Sequence, residues 1–566
     1  MRPVIILVFL IAATFLASPP VLHAAAIPNV RRPDIGSAMQ EAQSARPAPI
    51  PQRQTTDIGG EAPGKPSDAG GATIHVNDFR LENVQFIKEA EIRKILEPYR
   101  NRDLTLGQLE EVTAKVTELY RQKGYVVARA YLPKQKAADG VITIRILVGS
   151  YGPTGLENSS AVRDWLLERS LRANLAEGRP VHRSDLERAV LIIGDMPGAA
   201  QPTLSMGPGQ TPGTTDFFAQ VPKGKRVGAF LMSDNMGSRY TGRWRFGGGA
   251  EANSPLGLAD KLSIFGLTSD TGGLKSFAIN YAFPLSANGL RLDLGYSRVD
   301  YRLGEDFEDL EARGKSDVFE GTLSYPIVRS ATHNLYASLN VARKNMEDRY
   351  DVFDFVRRKQ STLGKLSLRN ENWFTVWGLP VYARVGAGFT YGNFHFPQAE
   401  DREEDAEGYR YEGDFTYLSA EAMVNVSFTE RFSLSLSAAG QKSLGKNLDS
   451  SEQLNVTGSN GVKAYRESIS GDNGYVFNAE FRYRLPDVWK VEHYLGAFVD
   501  QGGWNYQRPI GVVKHQDALT DIGLGYYLTC GPLSVKAQLY HAIGTYPEEL
   551  KREPQTGVSL LFMLNF

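Results

Sequence analysis

The 566-residue chain carries 63 basic and 64 acidic side chains, a balance that excludes the basic excess of a general nucleic-acid binder. Its single cysteine, Cys530, excludes an internal disulfide, and no CxxC or His-rich spacing offers a metal site. No apolar stretch after Ala26 approaches the length of a spanning helix, but a barrel stays possible, because its strands alternate lipid-facing with lumen-facing residues and average out as polar.

In chain order, residues 1–26 place Arg2 before an apolar run from Val4 to Ala17 and a small-residue exit at Ala24-Ala25-Ala26, the layout of a cleaved secretory signal. The run is shorter than the roughly 20 residues a retained membrane anchor needs. Residues 27–73 are rich in Pro, Gly, Ser, Ala and Gln, with one helical candidate from Pro33 to Ala45; composition alone favours disorder there.

Residues 74–149 form a first module. A strand from Phe79 to Val84 precedes helices Lys88 to Tyr99 and Thr105 to Lys123, then strands Ala128 to Leu132 and Val141 to Val148. Thr105 ahead of Gln108 makes a capping box, and Gly124 ends that helix. Residues 150–224 repeat the order: an entry segment, helices Ala161 to Arg172 and Arg183 to Ile193, then strands Pro202 to Met206 and Asp216 to Gln220. The two read as related βααββ units.

From 225 to 566 helical periodicity gives way to alternation. Phe432, Leu434 and Leu436 alternate with serines; Leu290, Leu292, Leu294 and Tyr296 oppose Arg291, Asp293, Gly295 and Ser297; Leu533, Val535, Ala537 and Leu539 oppose Ser534, Lys536, Gln538 and Tyr540. A soluble sandwich would also alternate. About sixteen strands, many near ten residues, instead suit a bilayer-crossing barrel. Tight connections (284–289, 427–431, 486–490, 530–532) also separate long ones (303–316, 345–359, 393–411, 443–473, 504–517), as periplasmic turns and outer loops would. The final strand places Val558, Leu560, Phe562, Leu564 and Phe566 on one face. Its aromatic end at Phe566 resembles the signal read by the barrel-assembly machinery.

The longest outer connection contains Val462-Lys463-Ala464-Tyr465 followed by Arg466, and downstream stands Phe498-Val499-Asp500-Gln501-Gly502. A loop with a VRGY- or VRAY-like core and a strand with FxDxG resemble the two-partner secretion transporters of the outer membrane (TpsB type; haemolysin secretion/activation family ShlB/FhaC/HecB). Gly124-Tyr125 to Pro133 with Asp139-Gly140-Val141-Ile142-Thr143-Ile144 agrees, as do Ser233-Asp234-Asn235 and Asn253-Ser254-Pro255-Leu256-Gly257. The resemblance spans nearly the whole mature chain. It implies a predominantly β protein: a sixteen-stranded transmembrane β-barrel preceded by two α+β polypeptide-transport-associated (POTRA) domains and a plug helix near residues 33–45, which reverses the preference for disorder there.

By the same resemblance the loop enters the lumen and its basic residue meets the Asp of the strand motif, which by position are Lys463 and Asp500. Partial desolvation in a narrow lumen would strengthen such a pair. Lysine stands here where the family has arginine, a point charge in place of a bidentate fork. Arg466 is therefore an alternative basic partner, and both charges could simply be solvated on a loop.

Catalytic signatures are missing: the sequence has no HExxH, GxSxG or Walker-type loop, and Gly247-Gly248-Gly249 is better read as close packing in the barrel wall than as a phosphate cradle. No catalytic residue, cofactor or metal is expected. A passive porin would not need two soluble modules. The expectation is a pore that takes an unfolded TpsA-type exoprotein (haemolysin, adhesin or toxin) from the periplasm to the cell surface, with outer-membrane lipid and the barrel-assembly machinery as its other partners. The alternative is a barrel-assembly insertase of the same superfamily.

Overall fold

The computed structural model describes residues 33–46, 73–136, 138–488, 491–508, 517–544 and 554–566. The expected signal at 1–26 and most of the Pro/Gly-rich segment lie outside these residues. Helix α1 (Ile35–Ser44) opens the described chain, capped by the Asp34 carboxylate accepting from the Ser37 amide.

The first module runs β1 (Ile74–Val76), β2 (Asp78–Glu82), α2 (Glu89–Leu96), β3 (Arg102–Leu104), α3 (Leu106–Gln122), β4 (Arg129–Tyr131) and β5 (Val141–Leu147). Both hydrogen bonds of the capping box between Thr105 and Gln108 are present, and Gly124 turns the chain at φ +100°. Leu109, Val112, Val116 and Tyr120 line one face of α3 and pack on Ile142, Ile144 and Ile146, which alternate inward from β5. The pair β1 and β3, three residues each, is too short to show alternation in sequence.

The second module runs β6 (Ser150–Asn158), α4 (Asp164–Asn174), α5 (Arg183–Gly194), β7 (Thr203–Pro208) and β8 (Thr214–Val221). Its entry segment is thus a strand. The sheets β2-β5-β4 and β6-β8-β7 share one topology, the first two strands of each parallel and the last two antiparallel.

A closed antiparallel barrel follows. Its strands are β9 (Val227–Asp234), β10 (Arg245–Asn253), β11 (Lys261–Ser269), β12 (Leu274–Pro284), β13 (Arg291–Arg302), β14 (Ala312–Arg329), β15 (His333–Tyr350) and β16 (Phe355–Val376). They continue as β17 (Leu379–His395), helix α6 (Ala399–Glu407) in the next loop, β18 (Gly413–Ser427) and β19 (Phe432–Ser443). A small ribbon β20 (Leu454–Asn455) and β21 (Ser470–Gly471) precedes β22 (Asn473–Arg484), β23 (Glu492–Asn505), β24 (Asp517–Cys530), β25 (Leu533–Ile543) and β26 (Thr556–Asn565). Sixteen of these close the ring, with β26 pairing β9; β20 and β21 stand apart from the wall.

Leu231, Phe246, Ile264, Phe277, Leu294, Leu339, Leu366, Leu524 and Phe562 face outward as an apolar band, the surface that a bilayer covers. The glycine run is wall packing: a Cβ on Gly249 would lie 2.7 Å from the Phe230 ring. One loop expectation is corrected. The span 345–359 is not a long loop, because β15 and β16 run on as a paired hairpin until Tyr350 meets Phe355. The consecutive charged residues Glu347-Asp348-Arg349 and Arg357-Arg358-Lys359 masked the strands there.

The second module is tied to the turns at one barrel mouth. The Arg329 guanidinium holds Asp195 at 2.7 and 2.8 Å and Asn334 at 3.0 Å, Arg188 donates to the Asn288 and Pro326 carbonyls, and Ser170 donates to Ala287. Arg329→Ala should loosen this seat by about 1–3 kcal/mol, since Asp195 is partly exposed and its pairing is screened. The expected readout is faster proteolysis of segment 222–226 with an unchanged heat-modifiable barrel.

Candidate functional site: the filled lumen

The connection between β19 and β22 enters the barrel, braced at its base by the ribbon β20 and β21. Val462, Ala464 and Tyr465 are buried with Val456 against Val476, Phe498, Trp504, Leu519 and Tyr540, an apolar patch on the inner wall. Burial of those side chains carries the loop tip inward; the polar groups then set its position.

Lys463 Nζ lies 2.6 Å from Asp500 Oδ2 and 4.6 Å above the Phe498 ring. Phe498 and Asp500 are two residues apart on one strand face, so ring and carboxylate grip the same ammonium. Asn478 donates to the other Asp500 oxygen at 2.7 Å, while the Ala464 amide donates to Asp521 Oδ2 at 2.6 Å. Asp500 and Asp521 are register partners on β23 and β24, both fully buried, so Lys463, Asn478 and the Ala464 amide together serve two adjacent carboxylates. Gly502 completes the strand motif for a steric reason: a Cβ there would meet Val462 and Val456 at 3.0 and 3.1 Å.

Arg466 goes elsewhere. Its Nε reaches the Tyr540 hydroxyl at 2.7 Å and its Nη2 the Val558 carbonyl at 2.8 Å. Phe566 sits at the opposite mouth, its ring exposed, its amide donating to the Ala229 carbonyl.

Helix α1 occupies the remaining lumen. Ile35, Ala38, Met39 and Ala42 pack against Met232, Leu267, Val299 and Tyr301 of the wall. Its start is held by charge: Lys359 Nζ lies 3.3 Å from Asp34, 3.0 Å from Asp348 and 3.4 Å from Asp449, so one buried ammonium joins helix, wall and loop. The Ile35 amide donates to Asp348 at 2.9 Å. Its last turn is held through Glu41, which accepts from the Ser238 amide and Thr241 hydroxyl, and whose carbonyl accepts from Arg245; Arg245 in turn pairs with Asp234 at 2.8 Å, both fully buried. Gln40 reaches the loop carbonyls of Ser450 and Gln453. Each tie is a side-chain contact to a separate element, so α1 could leave without unzipping a β-ladder.

Sequence reasoning missed Asn478, Asp521, Asp348 and Lys359. Asp521, in the alternating segment Asp517–Cys530, is signalled by a charge on what must be the lumen face. Lys359 carries no local signal, because its three partners come from residues 34, 348 and 449. The acidic run 400–407 forms α6 at the far mouth, where Arg357 pairs with Asp401 and Glu404. Among the described residues no group of three or more His, Cys, Asp or Glu is placed to hold a metal.

Comparisons with known proteins agree with this geometry. The family model "Haemolysin secretion/activation protein ShlB/FhaC/HecB" matches residues 213–512, and a ShlB-type POTRA domain matches 74–149. The heme/hemopexin transporter protein HuxB of Haemophilus influenzae is 24% identical over 452 residues, covering 79% of each chain. The outer membrane transporter CdiB of Dickeya dadantii is 24% identical over 460 residues, 78% of each. The solved CdiB from Escherichia coli shares the fold at TM-score 0.72 and 20% identity, covering 96% of this chain and all of that one.

Proposed function

Because this chain belongs to the haemolysin secretion/activation family ShlB/FhaC/HecB, it is a two-partner secretion transporter of the outer membrane, and we propose the route its cargo takes. The barrel spans the outer membrane and the POTRA modules stand in the periplasm. An unfolded TpsA-type exoprotein is recognised there, passes through the lumen as α1 leaves it, and emerges at the cell surface.

The observation that carries this reading is that the lumen is filled by a helix outside the wall, held by side-chain contacts at both ends. The modules supply the recognition step. Exposed strand edges let an extended client add itself as a further strand, which reads backbone and alternation and so suits an unfolded chain. The pair of Lys463 and Asp500 keeps the loop tip against the wall while cargo passes. Folding of the exoprotein outside biases the movement, since no nucleotide is available in the periplasm. Phe566, ending the last strand, directs assembly by the barrel-assembly machinery, and outer-membrane lipid surrounds the apolar band.

The test is secretion of a TpsA-type exoprotein of the same cell, assayed in the medium and at the cell surface with and without this chain. Loss of that one protein, by tenfold or more, while other barrels assemble normally is the expected result. A general fall in outer-membrane barrels without a cargo-specific defect would overturn the reading in favour of an insertase.

A further inference from the structure

The ring closes at an unequal joint. Between β9 and β26 the ladder runs only from Asn565 opposite Phe230 to Leu561 opposite Asp234, whereas β26 pairs with β25 from Leu564 out to Thr556. Strand β9 ends at Asp234, so Thr556 to Leu560, the outer half of the last strand, lies beyond its reach. The backbone groups there would face the membrane interior or the lumen without a ladder, at a cost of several kcal/mol each in lipid.

Two side chains take over. Asn235 continues the edge with its own amide donating to the Leu560 carbonyl at 3.2 Å; its Oδ1 accepts from the Leu560 amide at 2.8 Å, and its Nδ2 donates to the Val558 carbonyl at 3.0 Å. The carboxamide therefore mimics the next residue of a strand. From the lumen side Arg466 donates to the same Val558 carbonyl at 2.8 Å and to the Tyr540 hydroxyl at 2.7 Å. Tyr540 lies across Gly557, where a Cβ would sit 2.5 Å from its ring, so the ring, the guanidinium and the last strand are stacked in one place.

We infer that Asn235 and Arg466 form a side-chain clasp on the outer half of the barrel seam, and that the lumen loop, through Arg466, decides whether that half is closed. Lys463 and Arg466 stand three residues apart on the same loop tip, one fixed to β23 and the other to β26. Displacing the tip withdraws a donor from Val558, leaving Asn235 to hold the outer seam alone. The barrel can then part from its outer rim downwards while the five inner pairs stay zipped, which widens the lumen without unfolding the wall. Arg466 is a positioning residue, acting on the seam and not on cargo.

The experiment compares Arg466→Ala, Asn235→Ala and the double variant with the parent, all in a Cys530→Ser background, as purified full-length protein in detergent. Hydrogen exchange of the segment 556–560 is expected to accelerate tenfold or more, with 561–565 unchanged and heat modifiability retained. Arg466→Lys, which keeps a donor, should recover most of the protection. In planar bilayers the clasp variants should also conduct more, and in the Arg466→Ala background a disulfide between Asn235→Cys and Leu560→Cys, which face each other one position beyond the last ladder pair, should reverse that increase. Unchanged exchange at 556–560 overturns the clasp. Increased conductance that the disulfide leaves untouched overturns the coupling. Should Asn235→Ala not assemble, Arg466→Ala alone decides, since Arg466 lies off the wall.

Discussion

Secretion should fall at least tenfold in Asp500→Ala while the barrel still assembles. Asp500 is fully buried, holds Lys463 at 2.6 Å and accepts from Asn478, so its removal takes the direct partner from a part-buried ammonium, and losing a charge-assisted hydrogen bond of this kind costs about 1–3 kcal/mol. The wall is spared, because β23 keeps its backbone ladders to β22 and β24 whatever side chain stands at 500. The neighbouring Asp521 makes the two halves of the pair unequal. In Asp500→Ala, Lys463 still has Asp521 within the same cluster, whereas in Lys463→Ala two adjacent carboxylates face each other without the ammonium that pairs directly with one of them. Lys463→Ala should therefore be the more damaging single change, and the double variant no worse than Lys463→Ala, the non-additivity expected of groups in contact. Wild-type secretion in both single variants would remove the pair from the transport mechanism; lost heat modifiability would make it structural.

Channel opening should rise about five- to hundredfold in Gly36→Val. A Cβ at Gly36 would lie 2.2 Å from Ser450 Oγ and 2.6 Å from the Ser451 amide, so α1 or the loop must move. Overpacking of this kind costs about 1–3 kcal/mol, and each 1.4 kcal/mol shifts an equilibrium roughly tenfold. Ser450 cannot rotate away freely either, since its hydroxyl donates to Asp34 at 2.6 Å and Asp34 is the helix cap. Gln43→Ala, on the exposed side of α1, should leave opening unchanged. Single-channel recording in planar bilayers checks both, and closed channels in Gly36→Val would mean that the resting plug does not contact the loop at this position.

Local signals were legible where the chain's own neighbours set the conformation. The capping box at Thr105 and the glycine at 124 delimit α3, and period-two alternation marks β13, β19 and β25, because each depends on residues a few positions apart. The exceptions are instructive. The outer ends of β15 and β16 read as a loop because, beyond the bilayer, a strand needs no apolar face, and only pairing with its neighbour keeps it extended. Strands β1 and β3 are too short for any period to show.

For the site, the motifs Val462-Lys463-Ala464-Tyr465 and Phe498-Asp500-Gly502 could be named from sequence, and with them the choice between Lys463 and Arg466 as the basic partner. Distance made the choice. Only closure of the ring brings β26 beside β9, and thereby sets the Val558 carbonyl where Arg466 reaches it. The sequence by itself determined the two modules, the alternating wall and the motif residues, all of them patterns of local period or spacing. Which charges meet was decided by the tertiary structure alone: Lys359 joins residues 34, 348 and 449, and Asp521 faces Asp500, because electrostatic and hydrogen-bond energies depend on separation in space, which closure of a barrel makes independent of separation along the chain.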